Sequence, residues 1–173
     1  SGMTLVLPGH ALDGESLYEL VKQESVDSML GVPTVWLGLL QYLEEKGLKL
    51  DTVDQVLVGG SAAPYAMNKA FDEQHDAFLT HGWGMTEMSP LGTINSPTKK
   101  TMNLPKEDRY QLQTKQGYPL FGVEIKTVDD EDNELPRDGE ASGALKVKGP
   151  WIMHTYFKAC LLYTSDAADD EER

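Results

Sequence analysis

Short runs rich in apolar residues alternate with amphipathic stretches along the first eighty residues. The runs are Thr4–Leu7, Ser28–Val32, Val53–Val58 and Ala77–Thr80. Between them, the spacing of apolar residues, with capping residues at the ends, predicts helices over 13–23, 33–47 and 64–75. Alternation of strand and helix is typical of βαβ units, so we expect a parallel sheet with right-handed crossovers.

The pattern changes after Pro90. Residues 96–103 are polar and predict a surface loop, and residues 106–116 predict a polar helix. Strands are expected at 123–128 and 143–147 on either side of an acidic turn, which indicates an antiparallel pair, and an apolar helix is expected at 150–158. The predicted fold is α/β, with a parallel sheet and flanking helices over residues 1–95, followed by a partial antiparallel β subdomain.

The last fourteen residues, CLLYTSDAADDEER, show neither helical nor strand periodicity. Cys160–Asp169 is the translation of TGTCTCTTATACACATCTGACGCTGCCGAC, which resembles the transposon adapter of short-read library preparation. We therefore interpret Cys160–Arg173 as adapter and index read-through on a truncated gene and exclude it from fold reasoning. The alternative is a natural acidic tail.

The chain of 173 residues carries a formal net charge of −13, and residues 1–159 alone carry −9. Such acidity argues against a nucleic-acid surface, which needs basic residues, but it leaves ATP binding open. No apolar run is long enough to cross a bilayer, and no secretory leader is expected. Because Cys160 is the only cysteine, no disulfide is expected either, which fits a cytoplasmic protein.

Two glycine-rich stretches follow predicted strands and should lie at the same edge of the sheet. In VGGSAAP, two glycines allow close approach of backbone to a ligand, and Ser61 adds a hydroxyl. By itself this stretch is equally typical of a tight turn without a ligand.

The second stretch is HGWGMTEMSP. Thr86 offers a hydroxyl to phosphate, Glu87 offers a carboxylate suited to Mg²⁺, and Trp83 offers an apolar wall for a flat ring or an acyl chain. An isolated Thr-Glu pair would instead favour a buried Trp beside a solvated Glu.

Residues 55–92, QVLVGGSAAP through HGWGMTEMSPLG, resemble the core of the adenylate-forming superfamily of acyl-CoA synthetases. Within it they are similar to medium- and long-chain fatty-acyl-CoA synthetases and to relatives that activate methylthiopropionate. Four further stretches agree in order: VLPGHALDGESLYEL, GVPTVWLGLLQYL, KQGYPLFGVEIKTVDDEDNELP and GALKVKGPWIMHTYFK. The resemblance covers residues 1–159, which we interpret as a partial AMP-binding domain.

The resemblance implies a ligase that joins a fatty or short thioether carboxylic acid to CoA at the expense of ATP, with Mg²⁺. It also assigns roles to individual residues. Gly60 and Ser61 would lie against adenosine and the acyl carbonyl, while His81 and Gly82 would border the adenine and acyl pocket. Thr86 would contact phosphate and Glu87 would bind Mg²⁺.

An acyl tunnel is the second site that the resemblance implies. Its lining would include Val32, Pro33, Thr34, Trp36 and Trp83, whose mostly apolar character suits an alkyl chain. The alternative for Trp36 is ordinary helix core.

Superfamily members also carry a Gly/Ser/Thr-rich phosphate loop with a lysine, a ribose-binding aspartate and a C-terminal domain with a catalytic lysine. None of these stands in residues 1–159, so we expect this chain to lack ligase activity by itself. Two other hypotheses stay open: an adenylating enzyme with a non-CoA acceptor, and a non-catalytic nucleotide-binding α/β module. The acyl chain length and a homodimer of the full-length protein are also open.

Overall fold

The structure, a computed structural model, describes residues 2–153 and residue 156. The proposed adapter segment from Cys160 onwards lies outside the described residues. The chain divides into two compact units, which are described separately. The first unit comprises Ser1–Trp83 and Thr93–Tyr118, and the second comprises Gly84–Gly92 and Pro119–Arg173.

The described residues form helices and strands in the following order: α1 Gly14–Glu24, β1 Ser28–Gly31, α2 Pro33–Lys46, β2 Gln55–Val58, α3 Tyr65–His75, β3 Phe78–Gly84, a 3₁₀ turn Thr86–Met88, β4 Leu91–Ile94, α4 Lys99–Met102, α5 Lys106–Gln113, β5 Tyr118–Pro119, β6 Glu124–Val128 and β7 Ala144–Lys148. One sheet has the order β1-β2-β3-β4-β5, and β6 and β7 form another. Strands β1, β2 and β3 run parallel, as the βαβ pattern predicts.

The first three helices begin at residues that the sequence marks as helix starts, and the second also ends at such a residue. The Asp13 carboxylate accepts a hydrogen bond from Ser16 N at 2.9 Å at the start of α1. Pro33 occupies the first turn of α2, and Gly47 ends that helix in the left-handed conformation, with φ +63°. Pro64 immediately precedes α3. Local signals therefore placed these boundaries to within about one residue of prediction.

The core of the first unit lies between these helices and one face of the parallel strands. Its fully buried members come from α2, β2, α3 and β3: Leu39, Val56, Val58, Phe71 and Leu79. Because β2 contributes the alternate residues Val56 and Val58 to this face, its register is fixed by burial against the helices.

Two predictions about the first unit's strands are wrong. Thr4–Leu7 is not a strand, and Leu5 and Leu7 are 81% and 75% exposed, because this segment pairs with no strand among the described residues. Strand β3 begins at Phe78 and continues to Gly84 instead of ending at Thr80. Residues 81–84 are thus part of a strand and not of the loop that follows it.

Three further differences concern residues beyond Pro90. The predicted loop at 96–103 contains the one-turn helix α4, which Thr98 and Thr101 cap reciprocally. Strands β4 and β5 were not predicted, since both are short and depend on neighbouring strands for their hydrogen bonds. Residues 150–152 form a turn and not the start of a helix, and residues 154, 155, 157 and 158 of that predicted helix lie outside the described part.

The second unit contains the predicted antiparallel pair, in which Glu124 lies opposite Lys148. The acidic turn between β6 and β7 is closed by Asp129, whose carboxylate accepts hydrogen bonds from Glu131 N and Asn133 N at 3.1 and 2.8 Å. Val128 and Val147 are buried. Across the described residues of both units, no helix is long and apolar enough to span a membrane.

Candidate active site

The carboxyl ends of the three parallel strands lie level with one another in the first unit. Gly31 of β1 pairs with Val58 of β2, which pairs with His81 of β3. Directly beyond this row, Gly59 N donates a hydrogen bond to Gly31 O at 3.1 Å. The stretches that begin at Gly31, Gly59 and His81 therefore leave the sheet at one edge, which is where ligands bind in open α/β sheets.

Gly60 has a conformation and surroundings that favour glycine. Its φ of +80° lies in the left-handed region, and a Cβ there would come within 3.3 Å of Val32 Cγ1. Gly60 and Ser61 are both exposed, so backbone and hydroxyl are accessible from solvent. A Cβ on Gly59 would be 3.6 Å from Gly82 O, which shows how near the ends of β2 and β3 lie to each other.

His81 is buried at the end of β3, with 2% of its surface exposed. Burial lowers the pKa of the imidazole, while hydrogen bonding with backbone groups of Ser61 and Lys115 opposes that shift. Its Nδ1 atom has no hydrogen-bond partner of good geometry among the described residues. The ring is therefore neutral at pH 7 and retains an unsatisfied polar atom beside the Gly60–Ser61 turn.

The residues of the predicted acyl tunnel differ in exposure. Val32 is 44% exposed and Thr34 is exposed, whereas Pro33 is buried. Trp36 is 5% exposed, and its indole nitrogen donates to Leu57 O at 3.4 Å.

The ring of Trp36 also lies against Gly31, where an added Cβ would come within 2.7 Å of Cζ2. Trp36 therefore has the core position that the alternative interpretation expected. Its role as a tunnel wall stays a prediction.

The rest of the second glycine-rich stretch belongs to the second unit, since the division falls between Trp83 and Gly84. Trp83 is half-buried in the first unit. In the second unit, Met85 N donates to Pro90 O at 2.8 Å, and a Cβ on Gly84 would overlap that same carbonyl. This loop is thus closed tightly on itself, with Met88 fully buried beneath it.

Thr86 and Glu87 form the 3₁₀ turn at the tip of this loop. Thr86 is exposed and Glu87 is half-buried. The main-chain oxygen of Glu87 accepts from Met153 N at 2.8 Å, which fixes the backbone that carries its side chain. Neither the Thr86 hydroxyl nor the Glu87 carboxylate has a hydrogen-bond or salt-bridge partner in the described part of the chain.

Free oxygen atoms on a hydroxyl and a carboxylate suit phosphate and Mg²⁺. Mg²⁺ usually keeps several waters and takes only one or two carboxylates from the protein, so Glu87 is a sufficient donor. Within the described residues there is no cluster of three or more His, Cys, Asp or Glu that could hold a metal by itself. The donor set therefore fits Mg²⁺ bound together with substrate phosphates.

Asn95 contacts the backbone of His81, which the sequence did not reveal. Its backbone N donates to His81 O at 2.8 Å, and its side-chain Nδ2 donates to Leu112 O and Lys115 O. These bonds hold the chain beside His81. The local sequence does not identify Asn95, because the preceding strand β4 is recognised only from its hydrogen bonds with neighbouring strands.

Comparison with known proteins identifies the family of this chain. The AMP-binding enzyme family matches residues 1–157. The chain is 45% identical over 158 residues to the 3-methylmercaptopropionyl-CoA ligase of Ruegeria lacuscaerulensis, covering 91% of this chain and 29% of that protein. It is 44% identical over 156 residues to the medium-chain-fatty-acid–CoA ligase of Ectopseudomonas oleovorans, covering 90% and 29%.

A solved structure shares the fold. The long-chain-fatty-acid-CoA ligase of Archaeoglobus fulgidus superposes with a TM-score of 0.68 at 24% identity, covering 84% of this chain and 29% of that one. The chain thus spans about 29% of the length of the curated relatives that it matches. Because the family matches nearly the whole chain and the fold agrees, the chain belongs to the AMP-binding enzyme family.

Proposed function

We propose that this chain is part of an ATP-dependent acyl-CoA synthetase that adenylates a fatty or short thioether carboxylic acid and transfers the acyl group to CoA. The observation that carries the proposal is the accessible Gly60–Ser61 backbone beside the buried His81, whose Nδ1 lacks a partner in the described part of the chain. The names of the relatives, a 3-methylmercaptopropionyl-CoA ligase and a medium-chain-fatty-acid–CoA ligase, support the substrate class.

The first step is attack of a carboxylate oxygen on the α-phosphorus of ATP, which releases pyrophosphate and leaves an acyl-adenylate. The CoA thiol then attacks the acyl carbon, and AMP leaves. Displacement at phosphorus depends mainly on positioning and charge stabilisation, so the neutral His81 is assigned to hydrogen bonding with the nucleotide or acyl group rather than to proton transfer.

The proposed contacts are taken unit by unit. In the first unit, the exposed Gly60 allows close approach of the adenylate and Ser61 supplies a hydroxyl, while Gly82 is buried at the end of β3 and its proposed contact would be through the main chain. In the second unit, Thr86 supplies a hydroxyl for phosphate and the Glu87 carboxylate would hold Mg²⁺. When bound, Mg²⁺ neutralises phosphate charge in the transition state. The exposed Val32 is the proposed apolar contact of the acyl chain.

Three features of the longer protein remain proposals. We propose a cytoplasmic location, because the one cysteine, Cys160, lies in the segment that we interpret as adapter sequence. We also propose that CoA is the final acceptor and that Mg²⁺ accompanies ATP.

The test is acid-dependent exchange of pyrophosphate into ATP by the longer protein that contains this chain. Glu87→Gln removes one charge at nearly constant shape, and we expect the exchange rate to fall by about 10²-fold or more, as for other lost transition-state charge contacts. Glu44→Gln, the same change at an exposed position of α2, is the matched control and should leave the rate unchanged.

Two further measurements on the same protein separate the alternatives. Pyrophosphate exchange without thioester formation when CoA is supplied would indicate a different acceptor, and nucleotide binding without exchange would indicate a non-catalytic module. The 173-residue chain by itself is expected to form no thioester, since the phosphate loop and catalytic lysine of the superfamily are absent from residues 1–159. Thioester formation by this chain alone would contradict that expectation.

A further inference from the structure

Backbone groups along β3 point alternately towards β2 and away from it. Phe78 N donates to Asp54 O directly before β2, so the carbonyl groups of Leu79 and His81 point away from β2. His81 is the buried histidine of the candidate site, and Leu79 precedes it by two positions. The donors that these two carbonyls receive therefore help to fix the position of His81.

Both donors come from residues outside the strands. Asn95, directly after β4, donates its backbone N–H to His81 O at 2.8 Å, and the Gln113 side chain donates to Leu79 O at 2.7 Å. Gln113 is the last residue of α5 and is 4% exposed. A buried hydrogen bond of this kind is costly to break, because the carbonyl would be left without a donor.

The end of α5 and the residues after it are attached at the same place by the Asn95 side chain. Asn95 Nδ2 donates to Leu112 O and Lys115 O at 2.5 and 2.8 Å. Carbonyl groups at the end of a helix lack partners within the helix, and here a side chain supplies the donor. Asn95 thus binds β3 through its backbone and residues 112–115 through its amide group.

Thr93 and Gly117 extend this attachment. The Thr93 side chain is buried, and its hydroxyl donates to Gln116 O at 2.7 Å. Gly117 has φ +85°, and a Cβ there would come within 2.2 Å of Ile94 O, so the two backbones lie in direct contact. Residues 112–117, which we call the 112–117 segment, are therefore held against the end of β4, and all these residues belong to the first unit.

The ring of His81 also contacts the 112–117 segment. Hydrogen bonding of the imidazole with backbone groups of Ser61 and Lys115 opposes the lowering of its pKa by burial. The ring consequently lies between the turn after β2 and the 112–117 segment. Since Asn95 bonds to both His81 O and Lys115 O, one residue connects the backbone of His81 to a group that contacts its ring.

We propose that Thr93, Asn95 and Gln113 are positioning residues for adenylation, which hold the 112–117 segment against β3 and thereby fix the ring of His81 towards the ligand. The inference rests on the proposed function, in which His81 forms a hydrogen bond with the nucleotide or acyl group. The three residues act through His81 and not on the reacting atoms. Such positioning matters because a displacement of about 1 Å can reduce a rate by about 10²-fold.

Asn95→Leu tests the proposal in the longer protein that contains this chain. The change removes both side-chain donors at similar volume and adds no charge. We expect kcat for acid-dependent exchange of pyrophosphate into ATP to fall by about 10-fold or more. Asn103→Leu, the same change at an exposed position directly after α4, is the matched control and should leave kcat unchanged.

Combining Asn95→Leu with His81→Gln distinguishes positioning from a general structural defect. If Asn95 acts through His81, the double variant should be no slower than His81→Gln alone. An equal loss from Asn95→Leu with and without His81→Gln overturns the proposal, and so does a His81→Gln variant that is as fast as the wild type. A wild-type protein without any exchange contradicts the proposed function instead, and hydrogen exchange then decides whether the attachment exists.

Amide hydrogen exchange of the 173-residue chain tests the attachment without any activity. Thr93→Val removes the hydroxyl at nearly constant shape. We expect the Asn95 amide, which donates to His81 O, to exchange roughly fivefold faster, as for one lost hydrogen bond. Thr114→Val is the matched control, because the Thr114 hydroxyl also donates over 2.7 Å but only to Gln111 O at the end of α5.

An unchanged exchange rate of the Asn95 amide in Thr93→Val overturns the proposal, since the hydrogen bonds then act independently of one another. So does an equal acceleration in Thr114→Val. Far-UV circular dichroism establishes that each variant is folded. If Asn95→Leu does not fold, Thr93→Val takes its place in the kinetic comparison with His81→Gln, with the same expected coupling.

Discussion

Asp72 on α3 is the acceptor for three side chains of α5. Arg109 Nη2, Tyr110 Oη and Lys106 Nζ lie 2.5, 2.6 and 2.7 Å from its carboxylate oxygens. The Arg109 side chain is only 10% exposed, and Tyr110 is fully buried. Asp72→Ala therefore leaves a nearly buried cation and a buried hydroxyl without their acceptor.

The expected loss of stability in Asp72→Ala follows from this burial. Removing one partner of a buried ion pair costs about 3–5 kcal/mol, and a hydrogen bond to a charged group contributes about 1.5–3 kcal/mol. Because 20% of the Asp72 side chain is exposed, water partly takes its place as acceptor in the Asp72→Ala variant. We therefore expect the free energy of unfolding to fall by about 3 kcal/mol, the lower end of the range for a buried ion pair. Lys106→Ala should cost less than about 1 kcal/mol, since that side chain is 54% exposed.

Urea unfolding followed by far-UV circular dichroism measures these differences. Glu73→Ala is the control, because Glu73 is the next residue of α3 and forms only a loose salt bridge of 3.9 Å with Lys69. A double-mutant cycle of Asp72→Ala with Arg109→Ala isolates the coupling between the two groups. The reasoning is refuted if Asp72→Ala costs no more than Glu73→Ala, or if the cycle shows no coupling.

The pH dependence of this cluster has a definite sign. Burial alone would raise the pKa of Asp72, but hydrogen bonds from Lys106 and Tyr110 and the charge of Arg109 outweigh burial and lower it. A carboxyl with a lowered folded-state pKa contributes stability above its unfolded pKa of about 3.9 and loses it as pH falls further. The difference between wild type and Asp72→Ala should therefore shrink below about pH 4.

Two other changes test separate parts of the structure. His75 is 3% exposed, and burial together with the nearby charge of Lys49 lowers its pKa, so the folded state resists protonation. The contribution of His75 to the free energy of unfolding should be fully present above the unfolded-state pKa of about 6.5 and should decrease as pH drops below it. His75→Gln should reduce the loss of unfolding free energy between pH 7.5 and 5.5. An unchanged loss would count against attributing this pH dependence to His75. Gly84→Ala should lower the unfolding midpoint, at a cost of about 1–3 kcal/mol, because its Cβ overlaps Pro90 O. Gly38→Ala, with nothing within 4 Å of the added Cβ, is its control and should be neutral or stabilising.

The three helices of the first unit and the strands between them were predictable from local patterns. Asp13, Pro33 and Gly47 mark helix ends through interactions within one turn, and apolar periodicity distinguishes helix from strand without reference to the rest of the chain. The glycine-rich stretch at Gly60 is also visible in the sequence, because glycine tolerates the positive φ found there at little cost. Such features depend on neighbours a few positions away, and those neighbours are visible in the sequence.

Other features depend on residues far along the chain. Strands β4 and β5 exist only through hydrogen bonds with neighbours, whereas the apolar segment 4–7, which has the pattern of a strand, pairs with none in the described part. Whether Trp36 faces the core or a ligand is decided by packing on Gly31. For His81, the neighbours that decide its environment are Lys115 and Asn95.

The sequence by itself thus determined the order of helices and strands from α1 to β3, several helix ends and the residue types that the proposed nucleotide and metal binding would use. Only the tertiary structure decided which of those side chains are buried, which polar atoms lack a partner within the described residues, and that Asp72 joins α3 to α5. The physical reason is that caps and periodicity arise from contacts within one turn or one strand. Burial, strand pairing and pKa shifts arise from residues that folding brings together from distant positions.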